Sequence, residues 1–374
     1  MDSIPANVHH DEALIMAPSI GLHFSGINAT MEALLPKMRK TMKIACCGGN
    51  LSDRMPRSTL WKWLRAKNRR RWRIWHSRRN NDMLLGLFLR NILRQKLILL
   101  FTSAAQREHT WLTKFCYHHM DAVIATTQIA ADFLDCPSVI SHHGVDSSVF
   151  KKSEDCGEVR RLIGLENRPT LGIFGRVRPQ KGTSDLVEAL IVTLDQFPQW
   201  QVVFVGAITE RHIPFKKRLE ERLVAAGLSN RVSFIGFLDD FSQLPKWYQA
   251  VDVVGCVSRK EGFGVTCLEG MSSGSPVLAT HAGAWPEIIT EGEDGWLARP
   301  NDSADLSRAL QLVFSKTPEQ LKQMGRVAQQ TIHDRFTIEQ EVMRITEVYK
   351  KLFEKYGEDW QRMECDSTSL LNAA

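Results

Sequence analysis

The 374-residue sequence contains no uninterrupted run of about 18 apolar residues, the length that a membrane-spanning helix needs. Its first eleven residues are polar and acidic and lack the basic and apolar regions of a signal peptide. The eight cysteines form neither a CxxC pair nor a Cys/His ligand array, which favours reduced thiols in a cytosol. We therefore expect a cytoplasmic protein without a membrane span or a cysteine-bound metal.

Low-complexity tracts and repeats at a solenoid period are also missing. The composition, 43% hydrophobic and 24% charged, is that of a folded globular protein rather than a disordered or fibrous one. The length exceeds what one hydrophobic core usually organises. The sequence therefore predicts two domains with a cleft between them.

Acidic residues are absent from residues 61–79, WKWLRAKNRRRWRIWHSRR, although the whole chain carries a formal net charge of only +6. Arginines beside Trp72 and Trp75 would suit an anionic membrane surface, with the rings at headgroup level. An exposed basic helix whose Trp residues pack into its own domain is the alternative. Nucleic-acid binding is a third interpretation, which the confinement of the charge to one segment disfavours.

The second half of the sequence alternates short β-rich runs with segments of helical spacing. Several of the β-rich runs are apolar almost throughout, as strands covered on both faces must be. This alternation predicts a parallel, Rossmann-like domain. The predicted strands are residues 170–175, 201–206, 231–237, 251–257 and 275–280, and the predicted helices are 184–197, 215–226 and 241–250.

The first half follows the same pattern less clearly, with candidate strands at residues 13–18, 97–102, 122–127 and 138–143. The polar segment 151–157 lacks an apolar period and is the best linker candidate. We predict an acceptor-side domain over residues 1–165 and a nucleotide-sugar-binding domain over 166–335, both Rossmann-like. Residues 336–374 should form a helix that can pack back on the first domain.

Two basic side chains follow the strand TLGIF in the loop GRVRPQKG. In an open α/β sheet, ligands bind beyond the carboxyl ends of the strands. Arg176 and Lys181 are therefore candidates for holding a pyrophosphate and for offsetting the charge that develops on a departing nucleoside diphosphate. A solvated basic turn before a helix explains the local pattern equally well.

The motif EGFGVTCLE places glycines and two glutamates around the start of a helix near Val265. Backbone N–H groups at such a start attract phosphate. Acidic residues that merely complement a helix dipole would explain Glu269 but not the glycine-flanked pair opposite a basic loop. The candidate binding residues of this motif are Glu261, Gly262, Phe263, Gly264, Val265 and Glu269.

Two later segments, HAGAWPEII and EGEDGWLARP, resemble a further wall of the same pocket, although each alone is an ordinary loop. The ordered set of GRVRPQKG, EGFGVTCLE, GAWPEII and EDGWLARPND is similar to the C-terminal domain of the GT-B glycosyltransferases of family 4. The resemblance implies retaining enzymes with an E-x7-E signature. It assigns the donor diphosphate to Arg176 and Lys181, the donor sugar to Glu261 and the ribose to Glu269.

The first half, with APSIGLHFSGINAT, RRRWRIWHSRRNNDMLLG, LLFTSAAQREHT, MDAVIATT and HHGVDSSVF, looks like the lipopolysaccharide-core mannosyltransferases of Gram-negative bacteria. The resemblance implies GDP-mannose as donor, a Kdo-bearing lipid A precursor as an anionic, lipid-linked acceptor, and peripheral contact with the inner face of the inner membrane. Ser25 and Gly26 fall on the glycine loop that faces the diphosphate and acceptor. No nucleic-acid partner is expected.

The sequence departs from the family pattern after LILLFTSA. Many members have a His there that reaches the donor sugar, whereas this chain has Ser103 and Ala104, and His109 is the nearest substitute. A solvated loop histidine is the alternative. No D-x-D metal motif follows a strand, so we expect a metal-independent reaction that needs no cofactor. A GT-B epimerase or hydrolase, or a transferase that uses UDP-glucose or UDP-N-acetylglucosamine, remains open.

Overall fold

The computed structural model describes residues 13–21, 26–49, 51–52 and 55–363. Contacts divide the chain into two compact units. The N-terminal unit comprises Met1–His143 and Ile338–Ala374, and the C-terminal unit comprises Gly144–Thr337. Each unit contains one six-stranded sheet in which every pair of neighbouring strands is parallel. The predicted α/β class, with two parallel-sheet domains, is confirmed.

The N-terminal sheet has the strand order β2-β1-β3-β4-β5-β6. Its central strands are buried on both faces: Ile15 and Ala17 contribute to one hydrophobic cluster and Met16 to another. This alternation is the two-residue period of a strand that is covered on both sides. The strands are β1 (Ile15–Ser19), β2 (Ile44–Gly48), β3 (Arg73–Ser77), β4 (Leu97–Ser103), β5 (Ala122–Ala125) and β6 (Val139–Ile140).

The described residues before the second unit form five α-helices, and threonine side chains cap three of them. Thr59, Thr110 and Thr127 each accept a hydrogen bond from a backbone N–H of the first turn, which satisfies a donor that the helix itself leaves unpaired. The helices are α1 (Gly26–Arg39), α2 (Leu60–Arg65), α3 (Asn80–Asn91), α4 (Trp111–His118) and α5 (Gln128–Asp132).

The C-terminal sheet has the order β12-β11-β10-β7-β8-β9, so β7 and β10 are neighbours. Crossovers between them place their carboxyl ends at one edge of the sheet. The strands are β7 (Thr170–Phe174), β8 (Gln201–Val205), β9 (Val232–Gly236), β10 (Val253–Cys256), β11 (Val277–Thr280) and β12 (Gly295–Ala298). The helices are α6 (Cys156–Leu162), α7 (Thr183–Thr193), α8 (Ile213–Ala225), α9 (Leu244–Ala250), α10 (Thr266–Ser272), α11 (Trp285–Ile288), α12 (Ser303–Phe314) and α13 (Pro318–Arg335).

The segment that contains the predicted linker, 151–157, belongs to the C-terminal unit by its contacts. Ser272 Oγ donates to the carbonyl of Phe150, Gln249 Nε2 donates to the carbonyl of Lys151, and the Arg160 guanidinium pairs with Asp252 at 2.6 Å. The division between the units therefore falls after His143, ahead of this segment.

The last helix, α14 (Ile338–Lys355), returns to the N-terminal unit and packs on α1. Its buried residues include Ile345, Val348, Tyr349 and Leu352, which recur at three- and four-residue spacing and join the hydrophobic cluster of β1 and β2. None of the helices in the described part of the chain combines the length and apolar character that crossing a bilayer requires.

In the basic segment 61–79, Trp72 and Trp75 are not placed to enter a membrane as expected, and of its four Trp side chains only Trp61 is exposed. Trp63 and Trp75 are fully buried in the N-terminal unit, and the partly buried Trp72 packs on Tyr356 with ring centroids 4.5 Å apart. Arg73 is buried too, stacked over Trp63 with its Nη1 donating to the Trp63 carbonyl at 2.5 Å. The predicted insertion of Trp72 and Trp75 at headgroup level is therefore wrong, because burial in their own core is where these rings gain most.

Candidate functional site

The basic loop after β7 begins at Gly175, whose φ of +121° suits glycine. Arg176 follows it, is exposed, and makes no hydrogen bond or ion pair within the described residues. Lys181 ends a short turn, Pro179–Lys181, and Gly182 closes it with φ +68°. A Cβ on Gly182 would lie 1.8 Å from the carbonyl oxygen of Val257, so only glycine lets this loop approach the end of β10.

The basic loop is fastened to the loop that follows β10. The Arg259 N–H donates to the Gln180 carbonyl at 2.9 Å, and Gln180 Nε2 donates to the Lys260 carbonyl at 3.2 Å. The Arg259 guanidinium also makes a two-pronged ion pair with Asp185 on α7, at 2.7 and 2.6 Å. Because β7 and β10 are neighbours, these bonds hold the basic loop and the acidic motif together at one sheet edge.

Lys181 and Glu261 form an ion pair in which Lys181 Nζ lies 2.5 Å from Glu261 Oε2. Ser258 Oγ donates to the same carboxylate oxygen at 3.2 Å, and the Gly262 N–H donates to Oε1 at 3.3 Å. Both charged side chains are about one-fifth exposed, at 22% and 18%. A ligand that reaches either group therefore competes with the other group as well as with water.

The glycine turn of the acidic motif packs against residues 283–285, the GAW of the later segment. Trp285 Nε1 donates to the Gly264 carbonyl at 2.9 Å, and the Ala284 N–H donates to the Phe263 carbonyl at 2.9 Å. A Cβ on Gly264, where φ is +88°, would lie 2.4 Å from Trp285 Nε1. Gly283, at φ +62°, is equally crowded by the Phe263 carbonyl. The two segments are therefore built against each other.

Glu269 lies in α10, which begins at Thr266, immediately after Val265. Its Oε2 accepts a hydrogen bond of 2.6 Å from the hydroxyl of Tyr248, whose ring stacks on Phe174 at a centroid distance of 3.8 Å. Burial raises the pKa of Glu269 above its ordinary value, and the Tyr248 hydrogen bond opposes that shift. Tyr248 was not predicted as a site residue, because nothing in the sequence links α9 to α10.

These loops enclose a pocket at the carboxyl edge of the C-terminal sheet. Its lining combines the basic loop with the start of α10 and the indole of the later segment. The lining includes Phe174, Gly175, Arg176, Lys181, Ser258, Thr266 and Trp285. Two cations and several backbone groups face one small volume, an arrangement that suits an anionic ligand with hydroxyl groups. Within the described residues, no cluster of three or more His, Cys, Asp or Glu side chains has metal-binding geometry.

The remaining predicted site residues belong to the N-terminal unit. Gly26 is the first residue of α1, and Ser25 lies outside the described residues. His109 lies between β4 and α4, with its ring edge-on to Tyr117 at 5.5 Å. Its Nε2 is buried and has no hydrogen-bond partner among the described residues, and burial lowers the pKa of His109 below its usual value. His109 is therefore packed rather than freely solvated.

The carboxyl edge of the N-terminal sheet carries polar groups that the sequence did not reveal. Arg79, after β3, donates from Nη2 to Asn28 Oδ1 at 2.6 Å and from Nη1 to Ser19 Oγ at 3.3 Å. Asn28 in turn donates to Ser19 Oγ at 3.1 Å. A Cβ on Gly21 would lie 2.3 Å from Arg79 Nη1. The run of basic residues around Arg79 is visible in the sequence, but it predicted a membrane-facing surface rather than this hydrogen-bonded network.

His76 on β3 is fully buried between two hydroxyl groups. Its Nδ1 lies 2.7 Å from the Tyr349 hydroxyl and its Nε2 lies 2.6 Å from Thr102 Oγ1. Burial is the main reason that the pKa of His76 lies well below its ordinary value, and the positive charge of nearby Arg78 adds to the shift. The ring is therefore neutral. Arg78 has a buried Nη1 that finds no hydrogen-bond partner among the described residues. Tyr349 comes from α14, so no local pattern in the sequence could predict its contact with His76.

Comparison with known proteins adds family relationships to this geometry. Residues 158–331 match the family described as "Glycosyl transferases group 1". The chain is 40% identical over 343 residues to the lipopolysaccharide core biosynthesis mannosyltransferase LpcC of Rhizobium leguminosarum bv. viciae, covering 90% of this chain and 96% of that protein. It is 37% identical to the lipopolysaccharide core biosynthesis mannosyltransferase LpsB of Rhizobium meliloti (strain 1021), covering 90% and 97%.

Among solved structures, that of Anabaena Alr3699/HepE in complex with UDP superposes with a TM-score of 0.78. The alignment covers 90% of this chain and 99% of that one at 20% sequence identity. At this identity the likeness concerns the fold alone, two parallel-sheet units in one chain.

Proposed function

The chain belongs to the group 1 glycosyl transferases and is a glycosyltransferase, and from this premise we propose that it transfers mannose from GDP-mannose to a lipopolysaccharide-core acceptor of the Kdo-lipid A type, with retention at the anomeric carbon. The names of the two rhizobial mannosyltransferases and the resemblance of the first half to that group support this choice of substrates. The observation that carries the proposal is the Lys181–Glu261 pair beside the unpaired Arg176, at the edge of the sheet where ligands of this fold class bind.

On the donor side, we assign the diphosphate to Arg176 and Lys181. As the nucleoside diphosphate departs, negative charge builds on its oxygens, and the two cations stabilise that charge more in the transition state than in the ground state. A diphosphate that takes Lys181 from Glu261 leaves the carboxylate with the Ser258 hydroxyl and the Gly262 N–H. Glu261 is then free to accept a hydrogen bond from a hydroxyl of the donor sugar.

The rest of the donor is assigned to the acidic motif. Backbone groups of Gly262, Phe263, Gly264 and Val265 would approach the sugar and the phosphate. Glu269 would accept hydrogen bonds from the ribose hydroxyls. The Tyr248 hydroxyl, which donates to Glu269 Oε2, fixes that carboxylate and leaves Oε1 for the ribose.

For the reaction, we propose that the anomeric carbon gains oxocarbenium character as GDP leaves and that the acceptor hydroxyl attacks from the same face. A two-step route with a covalent intermediate would need a carboxylate about 5 Å from its partner, on the opposite face of the sugar. Glu261, which is held to the basic loop by Lys181, is assigned to sugar binding instead. Neither metal nor cofactor is part of the proposal, since Arg176 and Lys181 supply the positive charge.

Ser25, Gly26 and His109 are proposed as acceptor-side and sugar-side contacts of the N-terminal unit. Among the described residues, a Cβ built on Gly26 would meet no atom within 4 Å. His109 has a ring nitrogen for which the described part of the chain provides no hydrogen-bond partner. The lipid-linked acceptor implies a cytoplasmic enzyme in peripheral contact with an anionic membrane, at the inner face of the inner membrane.

Titration of the purified protein with GDP-mannose, UDP-glucose and UDP-N-acetylglucosamine tests the donor. We expect GDP-mannose to bind at least tenfold more tightly than the uridine sugars, and incubation with Kdo-lipid A to give a mannosylated lipid. Preference for a uridine sugar would overturn the donor assignment but keep sugar transfer. Release of free mannose, or its epimerisation, without a glycosylated product would favour the alternative GT-B chemistry.

A further inference from the structure

The helices on one face of the N-terminal sheet present an unusual outer surface. Helices α2, α3 and α4 all contribute to the same buried cluster, through residues such as Trp63, Met83 and Cys116, so they cover the same face of the sheet. Four of the five exposed Trp and Phe side chains in the described part of the chain lie on these helices. They are Trp61, Phe88, Trp111 and Phe115, and Leu84, Ile92, Leu93 and Leu112 are exposed beside them.

Hydrogen bonds join α3 to α4 directly and link α2 to the turn after α3 through β3. Asn80 Nδ2 of α3 donates to Thr113 Oγ1 of α4 at 2.9 Å, and Arg90 Nη2 donates to the His119 carbonyl at 2.8 Å. The guanidinium of Arg73, on β3, bonds both the carbonyl of Trp63, on α2, and Gln95, in the turn after α3. The exposed side chains therefore belong to one surface, which we call the α2–α4 surface and define by helices α2, α3 and α4 with the turns that follow α2 and α3.

The segment that contains helices α2 to α4 carries almost only positive charge. From Leu60 to His119 the sequence has fourteen Lys or Arg residues and two acidic residues, of which Asp82 is buried and Glu108 is exposed. This segment therefore carries a formal charge of +12, whereas the remainder of the chain carries −6. The exposed cations of the segment are Lys62, Arg65, Lys67, Arg69, Arg70, Arg71, Arg94, Lys96 and Arg107.

The aromatic side chains of α4 are arranged to enter an apolar phase together. Trp111 is 78% exposed, and its ring stacks on that of Phe115, one helical turn later, at 6.2 Å and an interplanar angle of 24°. On α3, Leu84, Phe88 and Ile92 follow at four-residue spacing and so share one side. Large exposed apolar side chains amid cations are the composition of a surface that lies in the headgroup layer of an anionic bilayer.

We propose that the α2–α4 surface docks the enzyme on an anionic lipid bilayer, with Phe88, Trp111 and Phe115 in the headgroup layer and the exposed cations of that surface over the lipid phosphates. The proposal deepens the function proposed above, whose acceptor is lipid-linked. It moves the membrane contact from the partly buried Trp72 and the fully buried Trp75 to rings that are exposed. Charge complementarity selects lipid as the occupant, because a second copy of the same +12 segment would be repelled.

Vesicle co-sedimentation of the full chain tests the surface, with phosphatidylcholine vesicles compared with vesicles that also contain phosphatidylglycerol. We expect binding to the anionic vesicles only, and its loss as salt rises. The double variant Trp111→Ser, Phe115→Ser should partition about tenfold more weakly. Its matched control is Val192→Ser, Val224→Ser, two side chains of similar exposure in the C-terminal unit, which should bind like the wild type.

The cations are tested in the same assay. Changing Arg69, Arg70 and Arg71 to Ser should weaken partitioning by at least about tenfold. Changing Arg211, Lys217 and Arg218, which are exposed in the C-terminal unit, should not. Tryptophan emission should shift to the blue when the wild type binds, and Trp111→Phe should bind normally with a smaller shift.

The proposal is overturned if the wild type ignores anionic vesicles, or if the Trp111, Phe115 double variant sediments as the wild type does. It is also overturned if the surface joins two copies, which sedimentation velocity would reveal as a dimer that the double variant abolishes. GDP-mannose titration of the same preparations separates the two proposals. If the protein binds vesicles but not GDP-mannose, only the donor assignment is wrong. If it binds GDP-mannose but not vesicles, only the docking surface is wrong.

Discussion

The carboxyl edges of the two sheets hold their charged residues in opposite ways. In the C-terminal unit, Arg176, Lys181 and Glu261 lie on glycine-bounded loops and remain within reach of solvent. In the N-terminal unit, His76 is fully buried and Arg79 is tied to Asn28 and Ser19. Charges that can exchange partners suit a ligand that comes and goes, whereas a buried hydrogen-bonded network fixes the shape of its own edge.

Among the changes that test this difference between the two sheet edges, the loss of a donor-side cation should have the largest effect on activity. Arg176→Ala or Lys181→Ala should each raise the activation barrier for sugar transfer by about 2 to 4 kcal/mol, because each removes a charge-assisted contact that strengthens as the diphosphate leaves. Steady-state kinetics with GDP-mannose measure this, and circular dichroism should show an intact fold. Arg211→Ala, an exposed cation elsewhere in the unit, is the control. Unchanged turnover in Arg176→Ala would refute the diphosphate assignment.

In the N-terminal unit the same kind of substitution should affect stability instead. Arg79→Met removes one hydrogen-bond partner of the buried Asn28 amide and of Ser19, which should lower the free energy of unfolding by about 1 to 3 kcal/mol. Arg78→Met is the matched control. The buried Nη1 of Arg78 has no hydrogen-bond partner among the described residues, so an apolar replacement should change stability by less than about 1 kcal/mol. Urea unfolding measures both, and equal losses would contradict the distinction.

Substitutions of Glu261 and Glu269 test whether these two residues of the donor side have different roles. Glu269→Gln should weaken GDP binding about tenfold, or about 1.4 kcal/mol, whereas Glu261→Gln should leave free GDP binding nearly unchanged and impair use of the whole sugar nucleotide. Because burial raises the pKa of Glu269, wild-type GDP affinity should fall with decreasing pH already above the ordinary glutamate range. Titration calorimetry across pH should show that fall in the wild type and not in Glu269→Gln. Equal losses of GDP affinity in both variants would contradict the division of roles.

The sequence predicted best the elements in which one local pattern decides the structure. Apolar runs bounded by glycine or proline located β7, β8 and β11 to within two residues, because a strand covered on both faces has to be apolar throughout. It missed β3, whose residues RIWHS look like part of a basic surface. Its pairing with β1 on one side and β4 on the other shows that this strand lies inside the sheet, and Arg73 is buried there with bonds to Trp63 and Gln95.

The donor-side loops were predictable for the same reason, since strand, glycine and charge follow one another in the sequence. The ion pair of Lys181 with Glu261 was not, because eighty residues separate the two and both had been assigned to a ligand. Tyr248 on Glu269 and Tyr349 on His76 are likewise contacts between distant segments. Spacing identifies candidate residues, and only packing shows which of them neutralise each other.

The smallest expected effect concerns His76 and the pH dependence of stability. Its pKa is held well below 6.5 in the folded protein, chiefly by burial, whereas in the unfolded chain it returns to about 6.5. As the pH falls below 6.5 the unfolded chain therefore takes up a proton that the folded protein does not. This contribution to stability is present above pH 6.5 and is lost below it, with a slope of at most about 1.4 kcal/mol per pH unit.

His76→Gln retains a side chain that can hydrogen-bond to Thr102 and Tyr349 but cannot take up a proton. Urea unfolding of wild type and variant between pH 7.5 and 5.5, about one unit on either side of the unfolded pKa, isolates this histidine, because every other titrating group is common to both proteins. The unfolding free energy of the wild type minus that of His76→Gln should become smaller as the pH falls, because only the wild type loses the contribution of His76. A constant difference would mean that His76 takes up its proton equally in both states, and the buried edge of the N-terminal sheet would then be as open to water as the donor loops.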